Sequence, residues 1–165
     1  MTSERLTPHD IDAEENLIGS LLIDGAAIHK ISDIIQPLDF YAEPNALIYD
    51  ACMALYKRDD AIDQITVAQE LSHRNKLDAC GGPSYLSHLI SMVPTSLHIE
   101  HYAQIVFRLS TMRRLITASK QIEALGYQAD PDIDGSLNKA EDVIFRLRHG
   151  VSPRSTPSAR STGVS

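Results

Sequence analysis

Two amphipathic stretches in tandem, between Pro94 and Gly150, constrain this chain more than any other feature. Thr95 and Ser96 can open a helix, and apolar residues then recur at helical spacing through Tyr102, Ile105, Val106, Leu109, Met112, Leu115, Ile116, Ile122 and Leu125. An acidic turn, Asp130-Pro-Asp-Ile-Asp134-Gly135, breaks the pattern, and Leu137, Ala140, Ile144 and Leu147 resume it. Two helices joined by so short a connection fold back on each other as a hairpin. The first is predicted to run about 29 residues, roughly 43 Å at 1.5 Å per residue, too long for the second to cover. Apolar surface left over on such a hairpin is covered by another copy or another protein. That points to assembly rather than chemistry.

The residues before the hairpin also carry helix signals. Asp12-Ala-Glu-Glu15 has capping-box spacing, with Leu17, Ile18, Leu21 and Leu22 as one apolar face. Glu14 and Glu15 read as first-turn carboxylates facing the dipole of their own helix. Ala27, Ile28, Ile31, Ile34 and Ile35 predict a second short helix, closed by Pro37. A third is predicted from about Glu43 to Arg58, with Pro44 tolerated in its first turn. Thr66-Val-Ala-Gln69 predicts the capped start of a fourth, running to about Lys76. Gly81-Gly82-Pro83 stops the chain and restarts it, with Tyr85, Leu86, Leu89, Ile90 and Met92 following. The expected fold class is all-α: a compact bundle of about six helices, then a long two-helix antiparallel hairpin. The expected divisions are a helical head over 1–97, a hairpin arm over 98–149 within the same domain, and a flexible tail or linker over 150–165.

Composition excludes several function classes. No apolar run is long enough to span a membrane, and the first residues lack the apolar stretch of a secretory signal. Cys52 and Cys80 are the only cysteines, too few for an extracellular disulfide framework. A cytoplasmic protein is expected. The net charge of −7 is uneven: residues 1–100 carry 6 Lys/Arg against 16 Asp/Glu, and residues 101–165 carry 9 against 6. Nucleic-acid binding draws on clustered cations. The first hundred residues have the wrong sign, and the hairpin is only mildly basic, so direct nucleic-acid binding is not expected.

Catalytic motifs are absent. No G-x-x-x-x-G-K-[ST] loop occurs, because Gly19 and Gly25 are followed by no lysine at the required place. His98-Ile-Glu-His101, with His88 upstream, offers two imidazoles at helical spacing but lacks the third and fourth ligands of a zinc site. Cys80 beside Gly81-Gly82 has no neighbouring base and reads as a small buried apolar group. No G-x-S-x-G elbow is present. No metal, cofactor or catalytic residue is expected, and these residues do not read as an enzyme.

The order of several segments resembles a known family, the N-terminal domain of the bacterial hexameric replicative DNA helicase of the DnaB type. The segments are Asp12-Ala-Glu-Glu-Asn-Leu-Ile-Gly-Ser-Leu-Leu-Ile-Asp24, Leu38-Asp-Phe-Tyr41, Leu47-Ile-Tyr49, Ile62-Asp-Gln-Ile-Thr-Val67 and Gly81-Gly-Pro-Ser-Tyr-Leu86. Val93-Pro-Thr-Ser96, Tyr102-Ala-Gln-Ile-Val106 and Arg113-Arg-Leu-Ile116 complete the set, which spans about residues 8–149. The resemblance implies a helical head plus hairpin, with hairpins of neighbouring subunits paired and three such pairs forming the collar of a hexamer. It implies a docking surface for primase, with a helicase loader as a further partner. It also implies that ATP and Mg belong to a RecA-like motor domain outside these residues.

Under this resemblance, self-association is expected to use Leu109, Met112, Leu115, Ile116, Leu137, Ile144 and Leu147. Primase contact is expected at Tyr85, Ile116 and Ile122, since aromatic residues commonly anchor interfaces. Family members continue into an amphipathic linker helix. Pro153, Pro157 and seven Ser or Thr among residues 151–165 disfavour one here. The chain is therefore expected to be an isolated N-terminal portion that dimerises through its hairpin. The alternative is a stand-alone helical adaptor that modulates helicase or primase, and a third reading is a nucleic-acid-binding module using the basic side of the hairpin.

Overall fold

Residues 6–149 are described in the computed structural model. Among them are seven α-helices and no strand. The chain divides into two compact units, Met1–Ser110 and Thr111–Ser165, the division falling inside the sixth helix. The tail expected over 150–165 lies outside the described residues.

The first unit is built on α1, Ile11–Ile23. Its cap is Asp10, whose carboxylate accepts from the N–H of Ala13 at 3.0 Å, so the capping position lies two residues before the Asp12 expected from spacing. Leu17, Ile18 and Leu21 are fully buried at the centre of the core. Gly19 lets α5, Gly82–Met92, approach α1 closely: a Cβ there would lie 2.5 Å from the carbonyl oxygen of Leu89. A 3-10 turn at Gly25–Ala27 leads into the short α2, Ile28–Ile31. Pro37 opens a second 3-10 turn, Pro37–Asp39, rather than closing α2 directly. Asp39 is buried there, and its Oδ1 accepts from the hydroxyl of Ser110 at 2.7 Å.

α3 runs Glu43–Lys57 with proline in its first turn, as its sequence predicts. It buries Ile48, Ala51 and Leu55, and also Asn45, Tyr49 and Cys52. α4 covers Gln64–His73. Its cap is Asp63, not Thr66. The two residues bond reciprocally, Asp63 Oδ1 accepting from the Thr66 N–H and Thr66 Oγ1 from the Asp63 N–H, both at 2.9 Å. The spacing of the sequence points to the motif three residues late, because Thr66 closes the box instead of opening it. Asp78–Cys80 forms a third 3-10 turn. Gly81 then takes φ +98°, a left-handed conformation that glycine adopts at little cost.

α6 spans Ile99–Gln128, 30 residues, close to the length read from periodicity. Its C-terminal part and α7, Ile133–His149, make up the helices of the second unit. Ala129, at φ 49°, ends α6. Asp132 Oδ1 accepts from the N–H of Gly135 at 3.1 Å and so caps the start of α7.

Candidate functional site: the exposed face of the hairpin and the setting of Tyr85

Each helix of the second unit has one apolar stripe that is shielded and a neighbouring one that is not. On α6, Ala118 is buried and Ile122 and Leu125 are half-buried; on α7, Ala140, Val143 and Leu147 are half-buried. These positions recur at spacings of three and four, one face of each helix. Beside them, Met112, Leu115 and Ile116 on α6 and Leu137 and Ile144 on α7 stand in solvent, from 36% exposed at Ile116 to 57% at Leu137. Five of the seven residues assigned to self-association from the sequence are thus exposed apolar side chains. The other two, Leu109 and Leu147, are half-buried, and Leu109 belongs to the first unit.

Three further exposed apolar side chains lie on this unit beside the residues assigned to self-association. Ile133 and Tyr127 flank the turn, at 71% and 84% exposed, and Phe145 lies on α7, where its ring meets His149 at a centroid distance of 4.0 Å. Ile133 could have been found four residues before Leu137 on one helical face. Phe145 lies off that stripe and leaves no periodic signal.

Tyr85 belongs to the first unit and is half-buried. Its hydroxyl lies 2.6 Å from Asn45 Oδ1 and 3.2 Å from Glu15 Oε2. Burial, reinforced by the charge of Glu15, raises its pKa above the ordinary tyrosine value, which keeps the phenol a donor. Asn45, fully buried on α3, passes the network on by donating from Nδ2 to Glu14 Oε1 at 3.1 Å. Glu14 also accepts from the N–H groups of Tyr41, at 2.6 Å, and Ala42, at 3.2 Å. Its carboxylate therefore sits at the N-terminus of α3, not at that of its own helix. Of the three residues assigned to primase contact, Ile116 is exposed, and Tyr85 and Ile122 are half-buried.

Cys52 and Cys80 are buried free thiols, and burial raises both pKa values, that of Cys52 to about 12. Such thiols are poor nucleophiles. His88, His98 and His101 are exposed. Among the described residues no three His, Cys, Asp or Glu side chains converge as a metal site, and no helix is long and apolar enough to cross a membrane.

Comparison with known proteins adds to this geometry. The family described as "DnaB-like helicase N terminal domain" matches over residues 6–108. The replicative DNA helicase DnaB of Geobacillus stearothermophilus is 37% identical over 145 residues, covering 88% of this chain and 32% of that protein. This chain spans about a third of the length of the curated relatives it matches. The crystal structure of the N-terminal domain of DnaB helicase from Mycobacterium tuberculosis superposes with a TM-score of 0.81 at 34% identity, over 86% of this chain and 99% of that one. The N-terminal domain of DnaB helicase from Helicobacter pylori, reported with its interactions with primase, shares the fold with a TM-score of 0.61 at 20% identity, over 70% of this chain and 90% of that one.

Proposed function

The chain belongs to the family of DnaB-like helicase N-terminal domains, and we propose that it is a non-catalytic assembly domain, pairing its hairpin with that of a second copy and docking primase. The observation that carries this reading is the exposed apolar face of the hairpin, where Leu115, Leu137 and Ile144 are each more than half exposed. Water around such a face is released when a second apolar surface covers it, and covering the exposed half of each side chain contributes about 1 kcal/mol. Leu109, Met112, Ile116 and Leu147 complete the self-association surface.

Primase contact is assigned to Tyr85 in the first unit and, separately, to Ile116 and Ile122 in the second. Tyr85 is half-buried against the head core with its hydroxyl held by Asn45 and Glu15, so the part of its ring that a partner meets is already ordered. The relation to the Helicobacter pylori domain supports primase as the partner class. ATP and Mg act in a motor domain outside these residues, and the domain works in the cytoplasm, where replication is primed.

Sedimentation of the chain alone, and mixed with a primase C-terminal domain, tests both parts. Self-association in the first case and a heavier complex in the second are the expected results. A chain that stays monomeric at high micromolar concentration overturns the hairpin assignment, and no complex with primase overturns the docking assignment.

A further inference from the structure

We propose that a cavity on the first unit takes the guanidinium of an arginine side chain presented by another protein, independently of the hairpin. The cavity, about 310 Å3, lies between two segments of the head. On one side are the 3-10 turn at Gly25–Ala27 and the start of α2; on the other are the end of α3 and residues 59–62. The two sides are locked together, since a Cβ at Gly25 would collide with the carbonyl oxygen of Ile62. Ile28 and Ile62, both buried, give the cavity an apolar base.

The polar groups sit where the cavity meets solvent. Asp59 and Asp60 are exposed and line it together with Tyr56 and His29. Tyr56 is half-buried against the core. Its hydroxyl lies 3.4 Å from His29 Nδ1, and the two rings meet edge to face at a centroid distance of 5.1 Å. The aromatic wall is therefore ordered before any ligand arrives. Asp60 is held by Arg58 Nε at 3.1 Å, and Arg58 also reaches Glu70 at 3.0 Å. Asp59 has no such cation: among the described residues none donates to its carboxylate. Lys30 and Lys57, next in sequence to His29 and Tyr56, do not line the cavity.

This combination selects the ligand. A guanidinium stacks on an aromatic face and bonds a carboxylate through two parallel N–H groups. It is also more weakly hydrated than an ammonium, so it loses less on leaving water. The wider surface has the matching sign: residues 1–100 carry 6 Lys/Arg against 16 Asp/Glu, a field that steers a basic segment toward this unit. The opening decides the source. Pockets for free small molecules cover most of the ligand's surface, whereas His29, Asp59, Asp60 and Ala61 all stand in solvent around this one. A free molecule would stay largely in water; a side chain projecting from a polypeptide needs only its tip covered.

Amide chemical shifts of the full chain, titrated with N-acetyl-arginine-methylamide, test this. Saturable shifts at Gly25, Ala26, Ala61 and Ile62 are expected, with a dissociation constant on the order of 1–10 mM for one anchor of a larger interface. The citrulline analogue, which keeps the shape and loses the charge, should bind roughly tenfold more weakly, and Asp59→Asn should weaken the arginine probe about fivefold. Asparagine tolerates the left-handed conformation that residue 59 holds at φ 65°, so the variant keeps the turn. The probe series on the unaltered chain answers the same question should that variant fold poorly. Equal binding of the citrulline or the lysine analogue overturns the guanidinium assignment. Free arginine binding more tightly than the capped probe makes the occupant a free amino acid and overturns the protein source. The absence of any saturable shift overturns the site.

Discussion

The hydroxyl of Tyr85 and Oδ1 of Asn45 lie 2.6 Å apart, across forty residues of sequence. Asn45 is fully buried, and its amide group bonds onward to Glu14. Tyr85→Phe removes the donor and leaves a buried carbonyl oxygen unmatched, an expected cost of about 1–2 kcal/mol in urea unfolding. The ring is retained, so primase binding by the folded fraction should persist. Equal loss of binding and stability would place the hydroxyl, not the ring, at the partner surface.

Stability should fall on the alkaline side. Burial raises Cys52 from 9.0 to about 12, and raises Cys80 as well as Tyr49 and Tyr85 above their ordinary values. The unfolded chain gives up these protons first. Their contribution is therefore complete below about pH 9 and is lost as the pH rises from there through the folded-state values, by about 1.4 kcal/mol per unit for each group in that window. Replacing both cysteines by alanine should delay the onset to the tyrosine range near pH 10. Unfolding midpoints that stay flat to pH 11 would show that these groups are not held protonated by the fold.

Two glycines should respond to alanine with opposite signs. At Gly19 the added methyl meets the backbone oxygen of Leu89 and cannot be relieved by a side-chain rotation, so Gly19→Ala should cost about 2–3 kcal/mol. Nothing lies within 4 Å of a Cβ at Gly126, in the last turn of α6. Gly126→Ala should therefore stabilise through helix propensity, by about 0.5 kcal/mol or less so close to the helix end. Thermal unfolding of the two variants side by side decides the matter.

Ile144→Lys is expected to separate association from folding. The side chain is 56% exposed, so the unfolding free energy should change by no more than about 0.5 kcal/mol. Sedimentation should shift toward the monomer, since a charge would enter the centre of the paired face. An unchanged mass would exclude α7 as the association surface.

What could be read from sequence here was whatever repeats along the helix axis. Pro44 in the first turn of α3, the apolar rows of α6 and α7, and the stop and restart at Gly81-Gly82-Pro83 all express local backbone geometry. The capping errors show where that information thins. Asp12 and Thr66 satisfied a spacing rule, but Asp10 and Asp63 hold the caps, because the choice among nearby acceptors depends on where the preceding loop delivers them.

Glu14 is the clearest limit. Its acceptors' partners, Tyr41, Ala42 and Asn45, are 27 to 31 residues away, and no periodicity links them to it. Sequence alone determined that this chain makes helices, that two of them form a hairpin, and which of their faces are apolar. Only the tertiary structure decided which apolar stripe was shielded and which stood open, and which polar groups met inside the head. Helical periodicity is set by neighbours three and four residues apart, whereas burial and polar pairing are set by groups the fold brings from far along the chain.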